Sequence, residues 1–291
     1  SSIPLPSHSV PESGRAKTVT YTSMDLHRLL GGRKLSNYKD LESLYEGLHV
    51  DSTVDSHPGH LDDITEGELT NQHRRNRQKT ARRPTRRLEK VHMDTGYGAG
   101  PGPGGARYTL LLVDGYSRHT HVYGLNGLSG IDIRDALRRL FIDAGGKPET
   151  IQCDYDPRFL GGIERRLLHS NGIRIRSSPP YRQSQNGLAE RTWGVLCRMA
   201  RCLLTEAQLP KSYWYWAVRE ASLRLNMTPT PDPNGKATTP FALYYGRKPD
   251  ARVLFPFGCV GYYRRDAPTF ETETLPGIAL GRSDYTNGII F

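Results

Sequence analysis

The chain has 291 residues, 36% of them hydrophobic and 24% charged, with a formal net charge of +10; that is length enough for one large domain or two smaller ones around a sizeable core. The positive balance favours a polyanionic partner. No window approaches the roughly 18 consecutive apolar residues of a membrane span, and the opening SSIPLPSHSVPESGRAK has no apolar signal region, so membrane and secretory classes fall away.

The Ser/Pro-rich residues 1–20 predict disorder, and the start at Ser1 without an initiator methionine reads as part of something longer. In 24–50, Leu26, Leu29 and Leu30, then Leu41, Leu44 and Leu48, fall at helical spacings and predict short helices of a small N-terminal module. Residues 1–72 hold six Lys/Arg against eleven Asp/Glu, whereas 73–90 hold nine against one. Such a basic tract binds nucleic acid or serves nuclear import; its plainer reading is a solvated linker. Leu88–Met93, Tyr108–Val113 and His119–Gly124 read as strands, the last two joined by a turn at Gly115–Arg118. Ile131–Ala144 places Ile133, Leu137, Leu140 and Phe141 on one helical stripe and stops at Gly145–Gly146. Thr150–Cys153 and Ile173–Arg176 are short strands around a helix at Gly161–Ser170, and Asn186–Thr205 and Pro210–Asn226 are longer helices. Strands and helices thus alternate after 88 as a layered α/β core requires. From 249, short aromatic and glycine-punctuated runs predict a small β module.

Several motifs carry less than they first offer. Gly100–Gly105 satisfies GxGxxG, but it contains Pro101 and Pro103 and precedes a strand, so no helix N-terminus receives a pyrophosphate. His57, His60 and His73 hint at a metal, yet a structural zinc wants thiolates and the chain has no cysteine before Cys153. The four cysteines, Cys153, Cys197, Cys202 and Cys259, show no CxxC spacing and suit a reducing compartment, with Cys197 and Cys202 expected to pack in a buried helix face. More informative are three carboxylates: Asp94 closing the strand-like LEKVHMD, Asp154 closing TIQCD, and Glu190 in the first turns of a helix. Strand-end aspartates and a helix-start glutamate can share one crevice of an α/β sheet. Hard oxygen donors with several charges are what Mg²⁺ ions require. Any one of them alone reads as a turn or cap residue.

The flanking sequence decides how the set is read. Thirty-five residues separate Asp154 from Glu190, and the glutamate lies in PPYRQSQNGLAER. With HMDTG, LLVDGYSRHTHVY, QLPKSYWYWAVREASLRLN, TPFALYYGRKPD and FPFGCVGYY in order from about 88 to 285, the chain resembles the integrase catalytic core of copia-type LTR retrotransposons, a member of the RNase H-like family. The resemblance implies an α/β fold with an RNase H-like mixed five-stranded sheet flanked by helices at 88–248. Around it would stand a partly disordered, degenerate pre-integrase region at 1–72, a basic linker at 73–87 and a truncated, small barrel-like β module at 249–291. It implies joining of element DNA 3′ ends to target DNA, with 3′-end processing by the same site. Two Mg²⁺ or Mn²⁺ ions would be held by Asp94, Asp154 and Glu190. Arg74, Arg75, Arg82, Arg83, Arg86, Arg87, Arg182 and Arg191 are the candidate nucleic-acid contacts. Zinc is not expected. Partners would be element ends, target duplex and further copies of the chain in a homo-multimer, acting in the nucleus after a possible cytoplasmic particle stage, with no membrane.

Two departures stand against the family pattern. Tyr155 and Asp156 replace the usual Asn-Gly after the second aspartate, and the stretch Gln72–Arg75 lacks the cysteines of the family's zinc module. A non-catalytic DNA-binding relic and a nuclease of the same fold therefore stay open as alternatives. Asp114, in LLVDGYSR, reads as structural.

Overall fold

A computed structural model describes residues 18–32, 35, 38–51, 83–154, 162–177, 186–264, 274–283 and 288–291. In chain order these form β1 (Val19–Thr22), α1 (Ser23–Leu29), α2 (Leu41–Leu44), β2 (Leu48–Asp51), β3 (Val91–Tyr97), β4 (Tyr108–Asp114), β5 (Thr120–Leu125), α3 (Gly130–Asp143), β6 (Thr150–Cys153), α4 (Ile163–Ser170), β7 (Arg174–Ser177), α5 (Gly187–Glu206) and α6 (Trp214–Met227). After them come β8 (Thr230–Pro231), β9 (Ala237–Thr238), α7 (Pro240–Tyr245), β10 (Val260–Arg264), β11 (Thr274–Ile278), β12 (Gly281–Arg282) and β13 (Ile289–Ile290).

The central sheet runs β5-β4-β3-β6-β7. β3, β4 and β5 are an antiparallel meander, while β6 and β7 continue parallel to β3. This is the mixed five-stranded, helix-flanked sheet expected from the sequence, an RNase H-like arrangement. β4 is buried on both faces (Leu110, Leu111, Leu112, Val113) because helices cover both. On one side Leu110, Leu112, Met93 and Ile151 pack against Ile133, Leu137 and Leu140 of α3. On the other, Leu111 and Val113 meet Leu196, Ala200 and Leu203 of α5 and Ala217 and Val218 of α6.

Local chemistry sets the helix ends. Ser129 and Asp132 form a reciprocal capping box at the start of α3. Gly145, at φ 58°, terminates that helix in the left-handed region, where glycine carries no Cβ penalty. Pro210 does not open an α-helix as expected; it precedes a 3₁₀ turn at Lys211–Tyr213, and α6 begins at Trp214.

The N-terminal segment is not merely a tail. Tyr21, Leu26, Leu30, Leu41 and Val50 build a third apolar cluster against Met227, Ala251 and Leu254. The Tyr45 hydroxyl donates to the Met227 carbonyl. Arg224 on α6, 1% exposed, pairs with buried Glu220 at 3.0 Å and donates to the carbonyls of Arg28 and Phe255. One guanidinium thereby ties α6 to the N-terminal segment at Arg28 and to the stretch after α7 at Phe255. The residues from 249 form two-stranded ribbons, β10 with β11 and β12 with β13. Cys153 is buried, but Cys202, expected to pack inside, is exposed because it lies on the solvent face of α5.

The loop at 98–105 has a packing role. The indole N–H of Trp214 donates to Gly100 O at 2.7 Å and that of Trp216 to Pro103 O at 2.8 Å. A Cβ at Gly98 would fall inside the Trp214 ring, so glycine lets the loop lie flat on the start of α6.

Candidate active site

β3 and β6 run parallel with Val91 opposite Ile151 and His92 opposite Gln152. Continuing that offset sets Asp154 beside Asp94, on the sheet face that carries α5. The expectation that Asp94 ends its strand is corrected: β3 runs on to Tyr97, with Asp94 opposite Leu111, because the β3–β4 hairpin keeps pairing past it. It is β6 that stops at Cys153, one residue before Asp154. Asp94 therefore lies mid-strand beside a neighbour's end.

Glu190 comes from the first turn of α5, and two contacts fix that helix to β3. Asn186, the N-cap residue, is fully buried and turns its side chain away from the helix, donating Nδ2–H to Met93 O at 3.0 Å. Seven residues on, Trp193 rests its ring on Gly96, where any Cβ would fall inside the indole. His92, Asp94 and Gly96 share one strand face at period two, and Asn186, Glu190 and Trp193 share one helix stripe. The strand triplet faces the helix triplet, with the two carboxylates in the middle. Asn186 was visible only as part of the Gln-Asn-Gly block, and Gly96 and Trp193 carried no signal beyond the apolar spacing of α5.

Electrostatics report the same neighbourhood. Burial first, then the charges of Asp154 and Glu190, push the Asp94 carboxyl up to about 6, against a hydrogen bond from the Thr95 N–H at 2.8 Å. Asp154 Oδ1 is buried with no hydrogen-bond partner, and a buried carboxylate oxygen left bare is costly unless a cation or donor meets it. Among the described residues no three His, Cys, Asp or Glu side chains close on one point; three like charges by themselves favour standing apart. Hard oxygen donors, one of them orphaned and two of them bearing on the third, fit a divalent cation.

His92 is buried and pushed down to about 4 by desolvation and then by Lys90, with Arg118 and Arg191 adding to it and Asn186 opposing. It faces Asn186, yet neither His92 Nδ1 nor Asn186 Oδ1 reaches a hydrogen-bond partner. Asp114 is structural, as expected: it is 2% exposed and accepts from the N–H of Leu88 and from the N–H and hydroxyl of Ser117.

The candidate arginines divide. Arg83 donates to Tyr116 O at 2.7 and 3.2 Å, Arg86 pairs with Glu149, and Arg87 lies over the Tyr244 ring and reaches its carbonyl. Arg191 is exposed on α5. Arg74, Arg75, Arg82 and Arg182 lie outside the described residues, as do His57, His60, His73, Tyr155 and Asp156.

Residues 84–183 match the family model for the integrase core domain. That stretch is similar to integrase core domains. The matched span holds Asp94 and Asp154 and ends before Glu190. The chain is similar to the retrovirus-related Pol polyproteins from transposons RE2 and RE1 of Arabidopsis thaliana, each 30% identical, over 158 and 183 residues, or 54% and 61% of this chain. It is also similar to that from transposon TNT 1-94 of Nicotiana tabacum, 25% identical over 75% of this chain. It spans 11%, 12% and 17% of the length of these relatives. They agree with the copia-type resemblance of the sequence. Among solved structures, the chain is similar to a chain of the simian T-cell lymphotropic virus intasome in complex with PP2A regulatory subunit B56 gamma (18% identity, 68% of this chain and 71% of that one, TM-score 0.48). It is similar also to the HTLV-2 integrase catalytic core domain in complex with magnesium (22% identity, 56% and 99%, TM-score 0.43).

Proposed function

We propose that this chain is a polynucleotidyl transferase that joins the 3′ ends of element DNA to target DNA and trims those ends, with Asp94, Asp154 and Glu190 as its catalytic residues. The observation that supports the reading is that the charges of Asp154 and Glu190 both act on the Asp94 carboxyl, in keeping with the β3–β6 register carried on past His92 and Gln152.

The three side chains would hold Mg²⁺ or Mn²⁺. When bound, such ions polarise an attacking oxygen and stabilise a leaving one. The chain's own residues supply the rest. β3 and β6 fix two carboxylates on a buried sheet, so their positions cost little reorganisation. The Asn186 and Trp193 contacts hold the helix that delivers the third. No side chain forms a covalent intermediate. The partners would be element ends, target duplex and further copies of this chain, acting in the nucleus.

The test is joining of a pre-cut DNA end to a plasmid by the full chain. The expected result is Mg²⁺-dependent joining, abolished by EDTA and by Asp94→Asn, Asp154→Asn or Glu190→Gln alone, each variant retaining cooperative melting. Hydrolysis without joining would identify the nuclease alternative. Near-wild-type joining by any of the three variants would overturn the assignment, and a wild-type chain that binds DNA without joining or cutting it would identify the relic.

A further inference from the structure

A cavity of about 330 Å³ opens along β5, the edge strand of the central sheet, and β4 stands between that edge and the strands leading to Asp94 and Asp154. Its walls come from β5, α6 and the stretch from α7 to Val253. Edge strands present backbone groups that want partners. Here Asn226 on α6 supplies one, accepting the N–H of Thr120 at 2.7 Å and donating to its carbonyl at 2.8 Å. The Thr120 and Ser222 hydroxyls meet at 2.7 Å. These polar groups satisfy one another, so they lock β5 to α6 and leave a preformed wall.

Aromatic rings line much of the rest. Phe241 and Tyr245 of α7 lie with centroids 4.8 Å apart, and His119 stands edge-on to Tyr245 at 5.2 Å. Tyr123 joins them, its hydroxyl donating to Asp143 Oδ2 at 2.7 Å. His119 is buried, and its Nδ1 has no hydrogen-bond partner. Such a ring nitrogen is one donor or one acceptor for a bound group to satisfy.

The charges on the wall are unevenly committed. Glu220 is paired with Arg224, and Asp250 is gripped by Arg252 at 2.7–3.0 Å; neither arginine lines the cavity. Asp143 holds the Tyr123 hydroxyl. Arg219 donates to the Arg282 carbonyl and lies over the Trp216 ring. Arg247 stands apart from these. It is exposed, its guanidinium lies 5.0 Å from the centroid of the Phe241 ring, and among the described residues it forms no salt bridge. A guanidinium held over a ring keeps its in-plane N–H groups for a carboxylate.

We infer that this cavity binds an aromatic carboxylate, a planar ring on a short acid-ended chain, with the ring on the Phe241, Tyr245 and Tyr123 wall and the carboxylate on Arg247. Its volume lies at the lower end of ligand pockets, roughly 300–1,000 Å³, which suits one ring and a short chain. A cationic ligand would meet Arg247 on the aromatic wall, and a neutral one would leave the guanidinium unanswered. The same chemistry comes from a free small acid or from the neighbouring aromatic and acidic side chains of a peptide. The inference goes beyond the integrase reading and does not draw on it.

The experiment titrates the full chain, in EDTA at neutral pH, with para-fluorophenylacetate, with uncharged para-fluorophenylacetamide and with the peptide acetyl-Asp-Phe-Asp-amide carrying a para-fluorinated ring, each followed by fluorine NMR line broadening. The acid should bind about tenfold tighter than the amide, as a charge-assisted contact implies. Arg247→Gln should erase that preference, Arg247→Lys should keep part of it, and Tyr245→Ala should weaken acid and amide alike. Asp154→Asn and Arg201→Gln, an exposed arginine on α5, should match wild type, and all variants should melt cooperatively. Tighter binding of the peptide than of the free acid assigns the cavity to a protein segment, and the reverse assigns it to a small metabolite. Absence of broadening with all three probes would overturn the site, as would equal binding of acid and amide or a preference that survives Arg247→Gln. Displacement of the bound acid by a short DNA duplex would hand Arg247 to nucleic acid and overturn the carboxylate assignment.

Discussion

Asn186 Nδ2 donates to the carbonyl of Met93 at 3.0 Å, across a sequence separation of 93 residues. The bond joins the N-cap of α5 to the residue before Asp94, so it sets how the helix bearing Glu190 lies on the strand bearing Asp94. A side chain of a type that commonly caps its own helix instead serves the tertiary contact, which leaves α5 without a side-chain cap.

Asn186→Ala should cost about 1–3 kcal/mol, the range for depriving a buried polar group of its partner, and it should lower Mg²⁺-dependent joining by more than the unfolded fraction accounts for. Urea denaturation beside joining rates at saturating DNA would check this. A rate loss no larger than the unfolded fraction would reduce Asn186 to a stability role.

Gly96 and Trp193 hold the other end of the same contact. Gly96→Ala drives a methyl group into the indole, and overpacking of this sort costs about 1–3 kcal/mol. The companion Trp193→Leu in the Gly96→Ala background should recover part of the stability, since the smaller side chain vacates the space. Additive losses in a double-mutant cycle would show that the two do not press on each other.

Removing divalent cations should be visible without chemistry. If Asp94, Asp154 and Glu190 share Mn²⁺ or Mg²⁺, the cation stabilises the fold by about 2.7 kcal/mol at a hundredfold excess over Kd, and the melting temperature rises with cation concentration. Asp154→Asn should lose that rise and, having one charge fewer in the cluster, should melt at or above the wild-type temperature in EDTA. A wild-type melt indifferent to both cations would count against the ligand set.

His119 gives a pH dependence of known sign. It is 4% exposed, stacked on Tyr244 with ring centroids 4.4 Å apart, and burial holds it well below the ordinary histidine range. The unfolded chain takes a proton near pH 6.5 while the folded chain does not, so stability is fully present above that pH and falls below it, by up to about 1.4 kcal/mol per pH unit for each such histidine. His119→Phe should flatten the fall between pH 6.5 and 5 by about one proton's worth. An unchanged slope would place the acid sensitivity elsewhere, with His92 the next group to test.

Arg224 and Glu220 form an almost fully buried pair, 1% and 3% exposed. Arg224→Ala should cost about 3–5 kcal/mol by stranding the carboxylate, and the damage should extend to the N-terminal segment because the Arg28 and Phe255 carbonyls lose the same donor. Combining Arg224→Met with Glu220→Leu should be milder than Arg224→Ala alone. Hydrogen exchange at 19–30 would locate the loss.

What the sequence by itself determined is local or additive. Alternation of hydrophobic period placed β4, β5, α3, β6 and α5 nearly to the residue. The charge count located the basic tract, and the ordered motifs named the carboxylates. The tertiary structure decided what depends on partners far along the chain. The reach of β3 past Asp94 came from hairpin pairing with β4. The docking of the described N-terminal residues on Met227 and Leu254 came from apolar packing and from tyrosines, Tyr45 and Tyr21, finding distant carbonyls. The facing of Asn186 and Trp193 onto Met93 and Gly96 came from the packing of α5 on the sheet. Lys90, Arg118 and Arg176 each look like ordinary surface charges when read singly. Sheet register and the β4–β5 turn gather them around His92, and a one-dimensional pattern carries no such distance.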